Sequence, residues 1–244
     1  MLNLQSPWKA PAVITTSDEA SSASVSYATY NKLYTNNSLD AAYRIFEQSD
    51  VDIVSFQEIT SDEINYYSGR LGFEYSDITD RSASAGGTEI GIVSRYEIIS
   101  SNSIELTNTT IALRSEIRLP GGDIIAVYTV HIPPPFSPGA YSSGVKSLNA
   151  LSMHIQNEEL PVLMAGDFNT TVYSPKFKKL HENVSDKLQL AFNDQTPACS
   201  WFGPGPLCMR IDHLFYSDEF TLNQITIEKY TGSDHRIVSA KLRY

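Results

Sequence analysis

The chain has 244 residues and a formal net charge of −10, with 28 acidic against 18 basic residues. Its hydrophobic content of 41% supplies apolar material for a sizeable core. The acid excess argues against a long polyanionic partner such as duplex DNA, whose binders draw most of their affinity from Lys and Arg on phosphates.

Residues 1–24 read as a polar tail or linker, small and without periodicity from Ile14 to Ser24. No second linker and no repeat follows, so one domain is expected over residues 25–244. Residues 25–31 alternate as a strand. Ser38 is placed to cap a helix whose apolar face is Leu39, Ala42, Tyr43 and Phe46. Residues 51–56 form a short apolar strand, and Ser61 is placed to cap a helix that turns Ile64 and Tyr67 inward. Strands are expected over residues 90–93, 98–106, 111–119 and 124–132, with Gly121-Gly122 as a hairpin turn. Residues 141–156 carry helical spacing, 161–165 read as a buried strand, and 174–192 read as short helices. Strands over 211–216, 220–228 and 236–242 close the chain. Helices interleaved with mixed strands predict an α/β fold: two packed sheets with helices outside, a four-layer α/β/β/α sandwich.

Cys199 and Cys208 lie close together in a Pro/Gly-rich stretch. The favoured reading is a disulfide closing an exposed loop, which implies an oxidising compartment; the alternative is two free thiols in the cytosol. The spacing is poor for zinc. No run of about 18 apolar residues is present, and the first residues lack the charged and apolar regions of a cleavable signal. A chain working outside the cytoplasm would then be a trimmed form.

Several apolar strands end in a polar residue, which leaves a carboxylate, amide or imidazole at the domain surface. The strongest case is Val162 to Asn169, where a glycine turn precedes Asp167 and Asn169. The bland alternative for that pair, were it alone, is an Asx turn after the strand. Glu58 ends the strand from Asp52 and offers oxygen to a hard metal; alone, it would be a solvated cap. His131 ends the strand before Pro133-Pro134-Pro135 and becomes a candidate acid or phosphate ligand only in the company of the others. Asp212 opens one strand, and Asp234-His235 precede the last. Adjacent residues point apart, so Asp234 can hold a metal while His235 meets a phosphate, with Asp212 orienting the imidazole. Asn31 ends the first strand and says little alone. The coincidence of five such strand ends is what carries weight.

In this order Asn31, Gln57-Glu58, Gly91-Ile-Val-Ser-Arg95, His131, Gly166-Asp-Phe-Asn169, Ile211-Asp212 and Ser233-Asp-His235 resemble the motifs of the endonuclease/exonuclease/phosphatase superfamily, with its deoxyribonuclease-I-like fold. The resemblance implies a phosphoesterase in which Asn31, Glu58 and Asp234 hold Mg²⁺ or Mn²⁺. Asp167 orients or deprotonates the attacking water, Asn169 binds a phosphate oxygen, His131 and His235 contact the scissile phosphate, and Asp212 supports His235. Some relatives also pair a carboxylate with the first histidine, a role open to Glu89, although Gly86-Gly87 leaves the register unfixed.

The segment His131-Ile-Pro-Pro-Pro-Phe-Ser-Pro resembles that of bacterial membrane-anchored members, some of them similar to lipid-pyrophosphate phosphatases. With the acidic charge and the cysteine pair, it favours a small or lipid-linked phosphate ester as substrate, and a location outside the cytoplasm. The expected state is a monomer. Two alternatives stand: a Mg²⁺-dependent nuclease acting on DNA, and an inactive binding module of the same fold.

Overall fold

Short apolar strands alternate with amphipathic helices, and this alternation sets the path of the chain. The computed structural model describes residues 23–244 except 74, 80–88, 192–198, 204–207 and 229–230. The order is β1 (Ser24–Asn31), α1 (Leu39–Gln48), β2 (Ile53–Ile59), α2 (Ser61–Leu71), β3 (Tyr75–Ile78), β4 (Glu89–Ser94), β5 (Ile98–Thr107), β6 (Thr110–Arg118) and β7 (Ile124–His131). Then come α3 (Pro138–Gln156), β8 (Val162–Asp167), α4 (Pro175–Val184), β9 (Leu188–Leu190), β10 (Trp201–Phe202), β11 (Cys208–Met209), β12 (Asp212–Ser217), β13 (Thr221–Ile227) and β14 (Val238–Arg243).

One six-stranded sheet runs β13-β14-β1-β2-β4-β3, and the other runs β5-β6-β7-β8-β12-β9. The pairs β1–β2 and β7–β8 are parallel. Parallel neighbours need a crossover, and α1 and α3 supply them. Tyr27, Ile53 and Ile92 of the first sheet pack against Val127, Leu163 and Leu214 of the second. Outside, Phe46 and Tyr67 from α1 and α2 cover Phe56 of the first sheet. Leu151 and Phe177 from α3 and α4 cover Met164 of the second. The four-layer sandwich is therefore formed. Covered on both faces, β8 buries all six residues, which explains its run of Val, Leu, Met and Ala.

Local details differ from expectation. α1 buries Ala42, Tyr43 and Phe46, but Ser38 makes no capping hydrogen bond. The cap of α2 is Thr60 rather than Ser61. Its hydroxyl accepts the Glu63 N–H while the Glu63 carboxylate accepts its own N–H. That capping box decides between two adjacent hydroxyl residues. α3 begins at Pro138, not at 141, because Ser137 caps it and proline suits a first turn. Residues 174–192 do not form a series of short helices. After α4 the alternation of Leu188, Gln189 and Leu190 pairs as β9 with β12, because a period of two fits an open sheet edge. The expected tail, residues 1–22, lies outside the described residues.

Candidate active site

Sheet register carries the polar strand ends to one edge of the sandwich. In β1 and β2, Asn31 sits opposite Gln57. In β7 and β8, His131 sits opposite Asp167. Strand β12 is antiparallel to β8 and sets Asp212 opposite the same Asp167. Strand β14 is antiparallel to β1, so the residues just before it come to the same end. There the Ser233 hydroxyl donates to the Asn31 carbonyl at 2.8 Å and accepts the His235 N–H at 3.0 Å.

Unusual backbone aims the side chains. β2 is irregular between Gln57 and Ile59, and Glu58 within it has φ +55°. Asn169 has φ +46°. Left-handed backbone at a glutamate is costly, and such positions cluster at functional sites. At Gly166 a Cβ would stand 1.9 Å from the Val130 carbonyl oxygen, so only glycine lets β8 approach β7 this closely before Asp167.

Oδ2 of Asp167 is the hub. It accepts Nδ2 of Asn31 at 3.1 Å and Nδ2 of Asn169 at 2.9 Å. Nε2 of His131 and Nε2 of His235 each lie 3.7 Å from it. Oδ1 accepts the Asn169 N–H at 2.8 Å, so the Asx turn considered from sequence is present and also serves the cluster. Glu58 joins through Asn31 Nδ2 at 3.2 Å, His131 Nε2 at 3.9 Å and the Tyr34 N–H at 3.0 Å. Behind His235, its Nδ1 lies 3.0 Å from both oxygens of the buried Asp212. Asp234 accepts Nε1 of Trp201 at 2.8 Å through Oδ2. Seven of the eight expected residues thus form one contact network, and Asp234 lines the same cavity as Glu58, His131, Asp167, Asn169 and His235. Glu89 opens β4 opposite Ile59; Gly86 and Gly87, on which its expected role turned, lie outside the described residues.

Burial pushes the Asp167 carboxyl up to about 6, against the pull of His235. Burial lowers His235, but Asp212 and Asp167 outweigh it and raise the imidazole to about 10. Near neutral pH, His235 is therefore a cation held between two carboxylates. Asp167, Asp212 and His235 could together offer atoms to a metal within 4.8 Å of one another. However, Asp212 is fully buried and both its oxygens face Nδ1, so this trio reads better as a polarised acid–imidazole pair. The oxygen donors Glu58, Asn31 and Asp234 suit a hard divalent cation. Oδ1 of Asp234 is buried without a hydrogen-bond partner, which leaves an acceptor for such an ion. Asn31 turns Nδ2 toward the two carboxylates and its Oδ1 accepts the Leu33 N–H at 3.0 Å.

The cavity measures about 620 Å³. Beside the polar cluster, its walls include Pro134, Pro135, Phe136, Tyr141 and Met209. Cys199 and Cys208 are joined in a disulfide, which ties the β10–β11 hairpin and holds Trp201 and Met209 at the rim. Sequence reasoning missed Lys176, which is buried yet lines the cavity. A signal existed: helical spacing puts Lys176 on the face of Leu180 and Val184. It also missed Ser200, whose hydroxyl accepts the N–H groups of Ile211 and Asp212 at 3.1 Å each.

Known proteins share this fold. Residues 22–235 match the Endonuclease/Exonuclease/phosphatase family, and the chain belongs to it: it is a phosphoric-ester hydrolase of the deoxyribonuclease-I-like fold. A family protein from Bacteroides thetaiotaomicron superposes with a TM-score of 0.76 at 17% identity, covering 92% of this chain and 99% of that one. A mannosyl-6-phosphatase from the same organism gives 0.71 at 16% identity, covering 90% and 100%. TDP2 of D. rerio, complexed with a single-strand DNA product, gives 0.74 at 16% identity, covering 91% and 99%. These structures share the fold. Compared by sequence with curated proteins, the chain matches none.

Proposed function

We propose that the chain is a divalent-metal-dependent phosphoesterase acting outside the cytoplasm, as a monomer, on a small or lipid-linked phosphate ester. The observation that carries the ester chemistry is the Asp167 carboxylate set between two imidazoles, one backed by a buried aspartate. A bound Mg²⁺ or Mn²⁺ would polarise the phosphoryl oxygen and offset developing charge, with Asn31, Glu58 and Asp234 as its holders. Asp167 takes the proton of the attacking water as the new P–O bond forms. His235, positively charged at neutral pH, neutralises a phosphoryl oxygen, and Asp212 keeps its Nε2 aimed there. His131 sits across Asp167 and is placed to protonate the ester oxygen as its bond to phosphorus breaks. Asn169 holds the phosphate.

Several features support the choice of substrate. Lys176 is the one Lys or Arg among the described residues lining the cavity, which disfavours a long nucleic acid strand. The proline and aromatic wall suits an apolar group on the ester. The disulfide fits an oxidising compartment. Among the described residues no helix is long and apolar enough to cross a membrane.

The test is turnover by purified chain with Mg²⁺ or Mn²⁺ on phosphomonoesters, lipid pyrophosphates, phosphodiesters and plasmid DNA. Release of phosphate from the small or lipid-linked esters, with DNA left intact, is expected. Cleavage of DNA alone would establish the nuclease instead, and no turnover of any substrate would leave the binding-module reading.

A further inference from the structure

We infer that Lys176 forms a second anion subsite in the cavity, so that the preferred substrate carries a second anionic group beside the phosphate that is cleaved. This rests on the phosphoesterase reading of the same cavity. The shared chemistry is two neighbouring phosphoryl groups, supplied either by a diphosphate ester or by two phosphates on one small molecule.

Lys176 lies in the first turn of α4 and is 5% exposed, although it lines the cavity. Its Nζ donates to the Asn169 carbonyl at 3.3 Å. It forms no ion pair within 4.0 Å among the described residues. An ammonium has three N–H donors, so two remain for a ligand. A buried lysine without a carboxylate is unfavourable unless something in the site completes it. Burial also lowers its proton affinity, while Asp167 supports the charge.

The surroundings are built around this group. The Tyr141 ring centroid is 5.8 Å from Nζ. Gly144, inside α3, leaves the space that a Cβ would enter at 3.4 Å from Nζ. That is ordinary contact distance, so α3 passes close beside the ammonium. Asn169 links this place to the reaction. Its carbonyl holds Lys176 while its amide donates to Asp167 Oδ2 at 2.9 Å. The cation therefore stands one residue from the water-activating carboxylate, on the side of Tyr141 and α3.

The competing account is that Lys176 only offsets the charge of Asp167. Kinetics on an aryl monophosphate, the matching aryl diphosphate and a hexose 1,6-bisphosphate separate the two, using wild type, Lys176→Met and Lys176→Arg. The subsite requires that Lys176→Met raise KM at least ten-fold for whichever doubly anionic substrate fits. KM for the monophosphate and kcat should stay within about three-fold, with partial recovery in Lys176→Arg. Equal losses on all three substrates, or no loss, would overturn it. Calorimetry without added metal gives an independent reading. Wild type should bind inorganic pyrophosphate at least ten-fold more tightly than phosphate, and Lys176→Met should lose that preference. If no ester is turned over, the phosphoesterase reading fails; pyrophosphate preference then still decides the subsite, and equal binding of both anions overturns it.

Discussion

Nδ1 of His235 lies 3.0 Å from both oxygens of Asp212, and Asp212 has no exposure to solvent. The carboxylate fixes a proton on Nδ1 and stabilises the imidazolium, leaving Nε2 3.7 Å from Asp167. Asp212→Asn keeps the volume but removes the charge and can reverse the hydrogen bond. A fall in kcat of about 10²–10⁴-fold is expected, the range general acid–base groups contribute, with the melting temperature little changed. Steady-state kinetics beside a thermal melt check it; an unaltered kcat would make the pair structural.

Asp167 and Glu58 are assigned different tasks, so their variants should separate. Asp167→Asn should remove turnover by about 10³-fold or more while Mn²⁺ still binds. Glu58→Gln should weaken Mn²⁺ binding by roughly 10–100-fold or more and recover part of its rate at high Mn²⁺. Calorimetric titration with Mn²⁺, paired with rates across metal concentration, distinguishes them. Loss of Mn²⁺ affinity in Asp167→Asn alone would exchange the assignments.

At Gly166 a Cβ would meet the Val130 carbonyl oxygen at 1.9 Å, with Val130 C at 2.8 Å and N at 3.0 Å. Backbone atoms of a central strand cannot swing aside as a side chain can. Gly166→Ala should therefore force β7 and β8 apart, at a cost on the order of 3 kcal/mol or more. Urea unfolding reads this as a lowered midpoint; a midpoint within error of wild type would show that the strands separate without penalty.

How far the site could be read from sequence follows from what holds each residue. Asp167, His131 and Glu58 were legible because each ends an apolar run, and a run buried on both faces must lie inside the sandwich. Their convergence was legible only through the family resemblance, since register is set by pairings such as Asp212 with Asp167, 45 positions apart. β9 was hidden because three alternating residues carry too little pattern to outweigh the helix before them. Thr60 was passed over for Ser61 because either hydroxyl can cap, and the Glu63 side chain decides. Helical spacing puts Lys176 on the buried face of Leu180 and Val184, but its place in the cavity wall comes from packing against Asn169 and Tyr141, which no local pattern reports.

The Cys199–Cys208 bridge closes a short loop, with the Cα atoms 5.3 Å apart and a sequence separation of nine. In the chain-entropy account such a loop contributes about 2–3 kcal/mol. It also pins Trp201, whose Nε1 holds Asp234 Oδ2 at 2.8 Å. Replacing both cysteines by serine should lower the melting temperature and weaken Mn²⁺ binding several-fold through the loosened Asp234. Differential scanning calorimetry and Mn²⁺ titration of the double variant check the two effects. A stability loss with unchanged metal affinity would show that Trp201 keeps its place without the bridge.

Glu158, between α3 and β8, gathers the outer layer onto the second sheet. Its Oε2 accepts Arg114 Nε at 2.7 Å and the Tyr128 hydroxyl at 2.7 Å, and Oε1 accepts Arg114 Nη2 at 3.1 Å. Burial favours the protonated form, but these donors outweigh it and hold the carboxyl down at about 2, below its ordinary 4.5. The unfolded chain therefore binds this proton first as pH falls. The stability Glu158 contributes is complete above about pH 4.5 and is lost between there and about pH 2. Glu158→Gln should melt below wild type at pH 7, and the gap should narrow steadily across that window as the wild-type carboxylate is protonated. Melting curves of both proteins at half-unit steps from pH 2 to pH 7 measure it, and parallel curves throughout would mean that other carboxylates govern acid unfolding.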